Sequence, residues 1–550
     1  MSGKTNTEFT FDKDGKMRFG TQLKAGEKRF RCVKILLHDD DDERMPHVRA
    51  DEMAELLTAS GKTPSEAVSQ FLGLVMAAGM EDIRRCLALD KDSELGVQFI
   101  LTVPAIWSDS AKEATMMAGR NAGMEDLRMV SEPEAAAAFA LTATEDLGLR
   151  TGDIWTLCDL GAGTGDLITY EIMSLAPLTL REIVEGQGAL CGGAHVDRAL
   201  VELFKKLFGP EEFEMISKTT PHTFEKALSD FREHVKPNYD PTTGNSDDTE
   251  FLLTMPSILN HERAGVKIGQ LELSNEQLFA LFEPEILKIL GLIESQVAQA
   301  RQVSGMVPRG VILVGGFSQS RYLYKRIQTH FANSPLVGQP NVTKEQSFKV
   351  IMSRDALTAV VKGAALLGVW GHSLVASRRA RYHYGVCVDE IFDEKEHNPE
   401  SRYTDDMDEC DRAADQMRYF LEKGDEVKAN ESVCNVTLEF ACKADEMPED
   451  ITVTLYATEQ MPAPKEWSPA IGRLCEVVIN VADLPKNAWK PFGHKKQFTK
   501  LTYGVGISLE SGVTYFNCVV GKFKTRVEAN FNQLVSEVAD VDDSRTLVGV

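Results

Sequence analysis

The sequence predicts an α/β domain followed by a β-rich domain, and three observations carry that prediction. A strand-like apolar run, Trp155 to Leu160, enters the glycine-rich turn Gly161-Ala162-Gly163-Thr164-Gly165-Asp166 and leaves as the β-branched and aromatic run Leu167 to Ile172. On either side of this hairpin, short strands alternate with helical spacings as far as about residue 380. Past that point helical spacing is scarce, and alternating strands with turns take over, as in Cys434 to Cys442, Ile451 to Ala457, Cys475 to Val481, Leu501 to Leu509 and Val513 to Val520.

Composition bounds the class. At 550 residues the chain is too long for one core, so two or three domains are expected. Hydrophobic and charged contents of 43% and 26% are those of a soluble globular protein. A formal charge of −23 argues against nucleic-acid binding. The ten cysteines show neither CxxC nor Cys/His ligand spacing and read as mostly reduced, buried thiols. With no amino-terminal h-region and no apolar run of membrane-spanning length, the expectation is a cytoplasmic protein that does not enter a membrane.

In order, Thr7 to Leu23 reads as two short strands around the turn Asp12-Lys13-Asp14-Gly15. Arg29 to Leu37 is mostly apolar around Lys34 and runs into the acidic block Asp39 to Glu43, a solvated surface loop. Thr63 to Leu89 has helical spacing. Val97 to Val103 is a strand ending at Pro104. The next helix starts around Ser108-Asp109-Ser110, with Ser110 and Glu113 as a capping box and Gly123 closing it. Leu127 to Val130 is a strand, and Pro133 sits in the first turn of an alanine-rich helix reaching Leu141. After the central hairpin, Gly192-Gly193 precedes an amphipathic helix, and further helices cover Phe224 to Lys236 and Leu278 to Gln302. Val311 to Val314 is a strand ending in Gly315-Gly316-Phe317-Ser318. Helices follow over Tyr322 to Phe331 and Asp355 to Trp370.

The hairpin's chemistry follows from its connections. A dinucleotide fingerprint or a Walker loop runs from strand into helix, and a Walker loop also needs Gly-Lys-Ser/Thr, absent here. Strand, glycine turn, strand can instead grip phosphate from its tip, because glycines let backbone N–H groups approach an anion. Asp159 and Asp166 stand at the two ends. An ordinary glycine hairpin has the same local signature.

The segments VPAIWSDSAKEATMMAGRNAGMEDLRMVSEPEAAAAFAL, LCDLGAGTGDLITYEI, VILVGGFSQSRYL and SRDALTAVVKGAALLGVW, in that order, resemble the heat shock protein 70 family, in particular its atypical fungal and animal branch. The resemblance spans roughly residues 9 to 376; that of the β-rich part rests on position and strand texture alone. It implies an actin-like ATPase fold of two lobes over residues 1–380 and a β-rich, sandwich-like client-binding domain over 381–535; the mixed residues 536–550 read as a loose tail.

Carried residue by residue, the resemblance implies that Asp159 holds the water shell of Mg²⁺. The amides of Gly161, Ala162, Gly163 and Thr164, with the Thr164 hydroxyl, would face the β- and γ-phosphates of ATP or ADP. Lys34 would neutralise charge on the transferring phosphoryl group and Glu132 would orient water and metal. A surface lysine and a helix-flanking glutamate are the plainer alternatives for these two. Gly192-Gly193 and Gly315-Gly316 would let backbone approach ribose and adenine, with Ser318 bonding the nucleoside; Lys226 and Arg232 are the candidates to stack on the base. Client polypeptides and co-chaperones are the implied partners.

The family's first phosphate hairpin is expected ahead of TEFTFDKDGKMRFG, where only MSGKTN stands. The expectation is therefore weak nucleotide affinity and weak or absent turnover. A catalytically weak pseudo-ATPase scaffold is the alternative function, and a small-molecule kinase of the same superfamily a more distant one.

Overall fold

The computed structural model describes residues 7–24, 26–31, 37, 50–90, 93–143, 148–241, 251–338, 347–429, 431–493, 497–530 and 547–549. The chain divides into two compact units: Met1–Thr179 with Gly186–Leu374, and Leu180–Glu185 with Val375–Val550.

The first unit opens with strands β1 (Glu8–Phe11) and β2 (Met17–Phe19), which pair antiparallel across a turn closed by Gly15 at φ +74°. Strand β3 (Phe30–Arg31) takes the other edge of β1. Helices α1 (Ala50–Ser60) and α2 (Pro64–Cys86) follow, the second starting on a reciprocal capping box between Thr63 and Glu66. Phe9 stacks on Phe30 and Phe71, with ring centroids 4.9 and 5.4 Å away, and anchors this small core.

Strands β4 (Gln98–Val103) and β5 (Asp126–Ser131) are parallel and flank α3 (Asp109–Asn121); α4 (Glu132–Ala143) leaves β5 directly. The cap of α3 differs from expectation. The hydroxyl of Ser108, not Ser110, accepts the N–H of Ala111, because Ser108 has the extended backbone an N-cap needs and Ser110 is already helical.

The central sheet is built from β6 (Ile154–Leu160), β7 (Gly165–Leu175) and β8 (Leu178–Ala189), then α5 (Gly193–Phe208), α6 (Pro210–Thr219) and α7 (His222–Asp230). A π-helical turn, Phe231–Val235, leads into the short α8 (Lys236–Asn238). The strands β9 (Phe251–Thr254), β10 (Val266–Lys267) and β11 (Gln270–Leu273) form a separate antiparallel sheet. Then come α9 (Asn275–Ser304), β12 (Gly310–Val314), α10 (Arg321–Ala332), β13 (Lys349–Met352) and α11 (Ala359–Trp370).

The sheet order is β13-β12-β6-β7-β8, with β12 parallel to both its neighbours and β6 antiparallel to β7. All seven residues of β6 are buried, as a strand with both faces covered requires. The adjoining core includes Phe204, Phe208, Phe282, Ile289 and Leu313. The alanine-rich α4 lies so close to α11 that a Cβ on Gly363 would be 1.6 Å from the carbonyl oxygen of Ala135.

The second unit is β-rich. Strand β14 (Val375–Arg379) is parallel to Leu180 and Arg181 and antiparallel to β18 (Glu426–Lys428). The other strands are β15 (His383–Ile391), β16 (Arg402–Thr404), β17 (Asp411–Leu421), β19 (Thr437–Lys443), β20 (Asp450–Thr458), β21 (Gly472–Asn480), β22 (Trp489–Phe492), β23 (Phe498–Glu510), β24 (Val513–Val520), β25 (Phe523–Asn530) and β26 (Leu547–Gly549). They form an 11-stranded sheet of order β16-β17-β15-β20-β21-β25-β24-β23-β19-β26, with β22 on β23. Among the described residues this unit holds no α-helix. Of the stretch expected to be a loose tail, only Leu547–Gly549 is described, and it is a strand.

Candidate functional site

The hairpin of β6 and β7 pairs Asp159 with Asp166 and Leu160 with Gly165, and the Gly161 N–H closes the turn on the Thr164 carbonyl at 3.0 Å. The turn is then held from outside. Gly192 caps α5, and the N–H groups of Gly192, Gly193 and Ala194 donate to the carbonyls of Gly163, Gly161 and Ala162 at 3.1, 3.0 and 2.8 Å. Every carbonyl of the three-residue tip is therefore occupied. The N–H groups of Ala162, Gly163 and Thr164 donate to no protein acceptor among the described residues. Three such donors at one turn are a ready acceptor for an anion.

The third glycine turn joins the same place. Val314 at the end of β12 sits beside Asp159 in the parallel ladder, and Gly315 turns the chain at φ +85°. A side chain there would clash, since its Cβ would lie 2.4 Å from Asp159 Oδ1 and 2.5 Å from the Leu160 carbonyl oxygen. A Cβ on Gly193 would in turn meet the Phe317 ring at 3.3 Å. The turns at 161–164, 192–193 and 315–316 thus converge around Asp159, a residue only 7% exposed.

The remaining sequence candidates fall as follows. The Thr164 hydroxyl donates to Asp166 Oδ2 at 2.8 Å, which braces the turn. Ser318 is fully buried, and its hydroxyl donates to the Gly315 carbonyl at 2.7 Å, so in this structure it shapes the turn. Glu132 is half-buried at the start of α4, directly after β5. Lys34 lies outside the described residues. Lys226 pairs with Asp230, and Arg232 with Asp197 at 2.8 Å, so local carboxylates engage both base-stacking candidates.

Several residues were missed. Lys236 donates to Asp197 Oδ1 at 2.6 Å and to the Gly193 carbonyl at 3.1 Å, tying α8 to the glycine turn. Glu134 is wholly buried and accepts from the Ser373 hydroxyl at 3.0 Å and the Leu374 N–H at 3.2 Å. A cavity of about 240 Å³ lies beyond the Gly315-Gly316 turn, lined by Asp240, Gln319, Ser320, Arg321, Tyr324, Lys325 and Met352, with Lys325 and Asp240 paired. The spacing of Arg321 and Lys325 on one helix was the signal available for it. Cys158 and Cys191 pack beneath the turn; burial pushes both thiols up, Cys191 to about 12, so they act as apolar filler.

No cluster of three His, Cys, Asp or Glu suited to a metal occurs among the described residues. The donor set still fits Mg²⁺, which is commonly held by one or two carboxylates, water and substrate phosphate, a role open to Asp159. Among the described residues no helix is long and apolar enough to cross a membrane.

Comparison with known proteins agrees with this geometry. Residues 83–339 match the family described as Hsp70 protein, and residues 378–496 match a Domain of unknown function (DUF8568). Heat shock 70 kDa protein 12A of Mus musculus is 24% identical over 375 residues, covering 55% of this chain and 53% of the relative. The Homo sapiens protein of the same name is 23% identical over the same length. Chaperone protein HscA homolog of Burkholderia mallei (strain SAVP1) is 28% identical over 294 residues, 53% of this chain and 41% of the relative. The chain spans about half the length of the curated relatives it matches. It carries an Hsp70-family, actin-like ATPase domain, followed by a β-rich region of antiparallel sheets, and is homologous to Hsp70-family members.

Proposed function

We propose that this chain, a divergent bearer of the Hsp70-family domain, binds ATP or ADP with Mg²⁺ in its first unit and acts as an atypical cytoplasmic chaperone, with the β-rich unit receiving client polypeptide. The observation that carries the nucleotide part is the set of N–H groups on Ala162, Gly163 and Thr164 beside the buried carboxylate of Asp159. The N–H groups would hold the phosphates, and Asp159 would hold the water shell of the metal. Bound Mg²⁺ would supply charge neutralisation for the phosphates. Gly192, Gly193, Gly315 and Gly316 let the three turns pack closely on one another and on Asp159, where a Cβ would meet protein atoms, and the cavity at Asp240 and Arg321 offers room for the base. Client binding is supported by the names of the relatives and by the strand-rich second unit.

The test is calorimetric titration of the full chain with ADP and ATP, with and without Mg²⁺. The expected result is Mg²⁺-dependent binding that Asp159→Asn weakens. Binding that is indifferent to Mg²⁺, or absent with both nucleotides, overturns the reading.

A further inference from the structure

We propose that Lys236, seated with Arg232 on Asp197, is a positioning residue of the loop 161–164. Its charge strengthens the grip of that loop on the terminal phosphates of a nucleoside di- or triphosphate. The proposal rests on the reading of that loop as the phosphate site.

Asp197, in the second turn of α5, is 7% exposed and receives two cations. Arg232 donates from Nε to Oδ2 at 2.8 Å, and Lys236 donates from Nζ to Oδ1 at 2.6 Å. The π-helical turn Phe231–Val235 carries the first and leads directly into the second. Two cations on one carboxylate leave the trio with one positive charge in excess. That charge stands in an unfavourable place, because Lys236 also donates to the carbonyl of Gly193, the first residue of α5, at 3.1 Å. A helix N-terminus is the positive end of its dipole, where carboxylates stabilise and ammonium groups do not. The arrangement is unfavourable in isolation and becomes favourable once an anion stands beside it.

The path from Lys236 to the loop is continuous. Gly193 donates its N–H to the Gly161 carbonyl at 3.0 Å, and its own carbonyl shares one resonant amide with the Ala194 N–H. The Ala194 N–H donates to the Ala162 carbonyl at 2.8 Å, which in turn shares an amide with the Gly163 N–H. That N–H is the middle one of the three left for an anion. Each donor on a carbonyl polarises its amide and makes the N–H beyond it a better donor. Lys236 therefore fixes the turn before α5 and holds positive charge behind the donors of the tip. It acts through Gly193 and Ala194.

Calorimetric titration with Mg-ADP and Mg-ATP of the wild type, Lys236→Met, Lys236→Gln and Lys236→Arg tests this, each variant being checked for folding by thermal melting. Arginine keeps the charge and the donors, glutamine keeps a donor without the charge, and methionine keeps neither. Loss of one charge near the phosphates should weaken Mg-ATP binding roughly tenfold in Lys236→Met and in Lys236→Gln. Lys236→Arg should recover most of that loss. Mg-ADP, which carries one negative charge fewer, should lose less than Mg-ATP in the same two variants.

Wild-type affinity in Lys236→Gln, or an arginine variant as weak as the glutamine one, overturns the proposal. Equal losses for the two nucleotides also overturn it, since they assign Lys236 to a purely structural brace. If Lys236→Met fails to fold, the glutamine and arginine variants decide. Wild-type protein that binds neither nucleotide removes the phosphate reading and the proposal with it. Wild-type binding that all three variants retain removes the proposal alone.

Discussion

At the turn before α5, an added Cβ on Gly192 would lie 2.3 Å from the carbonyl oxygen of Ala162; on β23 of the second unit, one on Gly504 would lie 2.4 Å from the thiol of Cys434. The distances are alike and the neighbours are not. Around Gly192 the three nearest atoms all belong to the backbone of Ala162 and Gly163. Around Gly504 and Gly506 they include the side-chain ends of Cys434 and Ser432, which lie across the strand. In the first unit glycine lets one backbone segment dock on another, fixing a polar turn whose outward N–H groups are left for something else. In the second unit it makes room for side chains over a ladder whose polar groups are already paired. Polarity also differs between the two places: the turn sets Asp159 beside open backbone donors, whereas in the second unit the guanidinium of Arg412 meets Asp405 and Asp408 at 2.7 Å each.

The largest expected effect breaks that closure. Arg412→Leu leaves two carboxylates without their cation in a buried place, and breaking such a pair costs about 3–5 kcal/mol. Urea unfolding should show that loss, and hydrogen exchange should place it at β15 to β17, with Mg-ADP affinity unchanged. A loss of affinity of the same size would mean that the two regions are not the separate systems described above.

Gly192→Ala should come next, at about 1–3 kcal/mol of stability, because backbone must shift to admit the methyl group. Unlike Arg412→Leu it should also weaken Mg-ADP binding, since the shift falls on the tip carbonyls that hold the loop. Asp159→Asn is close to isosteric and should leave the melting temperature nearly unchanged. Mg²⁺-dependent nucleotide affinity should fall by about 1.5–3 kcal/mol, the usual worth of a hydrogen bond to a charged group. Calorimetry separates these two variants, one costing both quantities and the other only affinity.

Gly504→Ala should cost less than Gly192→Ala, about 1 kcal/mol, provided the Cys434 side chain can turn aside; thermal melting compares them directly. The smallest effect is a pH dependence. Burial holds His383 below its ordinary range against the pull of Glu422 and Asp425, with Lys423 acting in the same direction as burial. Between its lowered pKa and the ordinary 6.5 the unfolded chain binds a proton that the folded chain does not. Stability should therefore be full above that upper limit and decline as pH falls through the window. His383→Asn should flatten this decline in melts taken from about a unit above the ordinary histidine value to about one and a half below it. An unchanged slope would assign it to another group.

Much of this was visible in the residue order. The hairpin flanking Gly161 to Thr164, the double glycines at 192–193 and 315–316, the strands before Pro104 and Glu132 and the change of texture near residue 380 are all local signals, set by side-chain period and by backbone freedom. The order alone also placed Asp159 and Asp166 at the two ends of the turn. Contacts between residues far apart in sequence were not determined there. Nothing near Ala162 announces that its carbonyl will meet the N–H of Ala194, and nothing near Arg232 or Lys236 announces that both will settle on Asp197. The choice of Ser108 over Ser110 as a cap turned on one backbone angle, which sequence composition does not encode. The grouping of Leu180–Glu185 with the second unit came from partners almost two hundred positions away. Periodicity and turn chemistry are properties of neighbours along the chain, so the sequence determined the elements and the places where the backbone must turn. Which donors those turns leave open depends on what packs against them, and only the tertiary structure decided that.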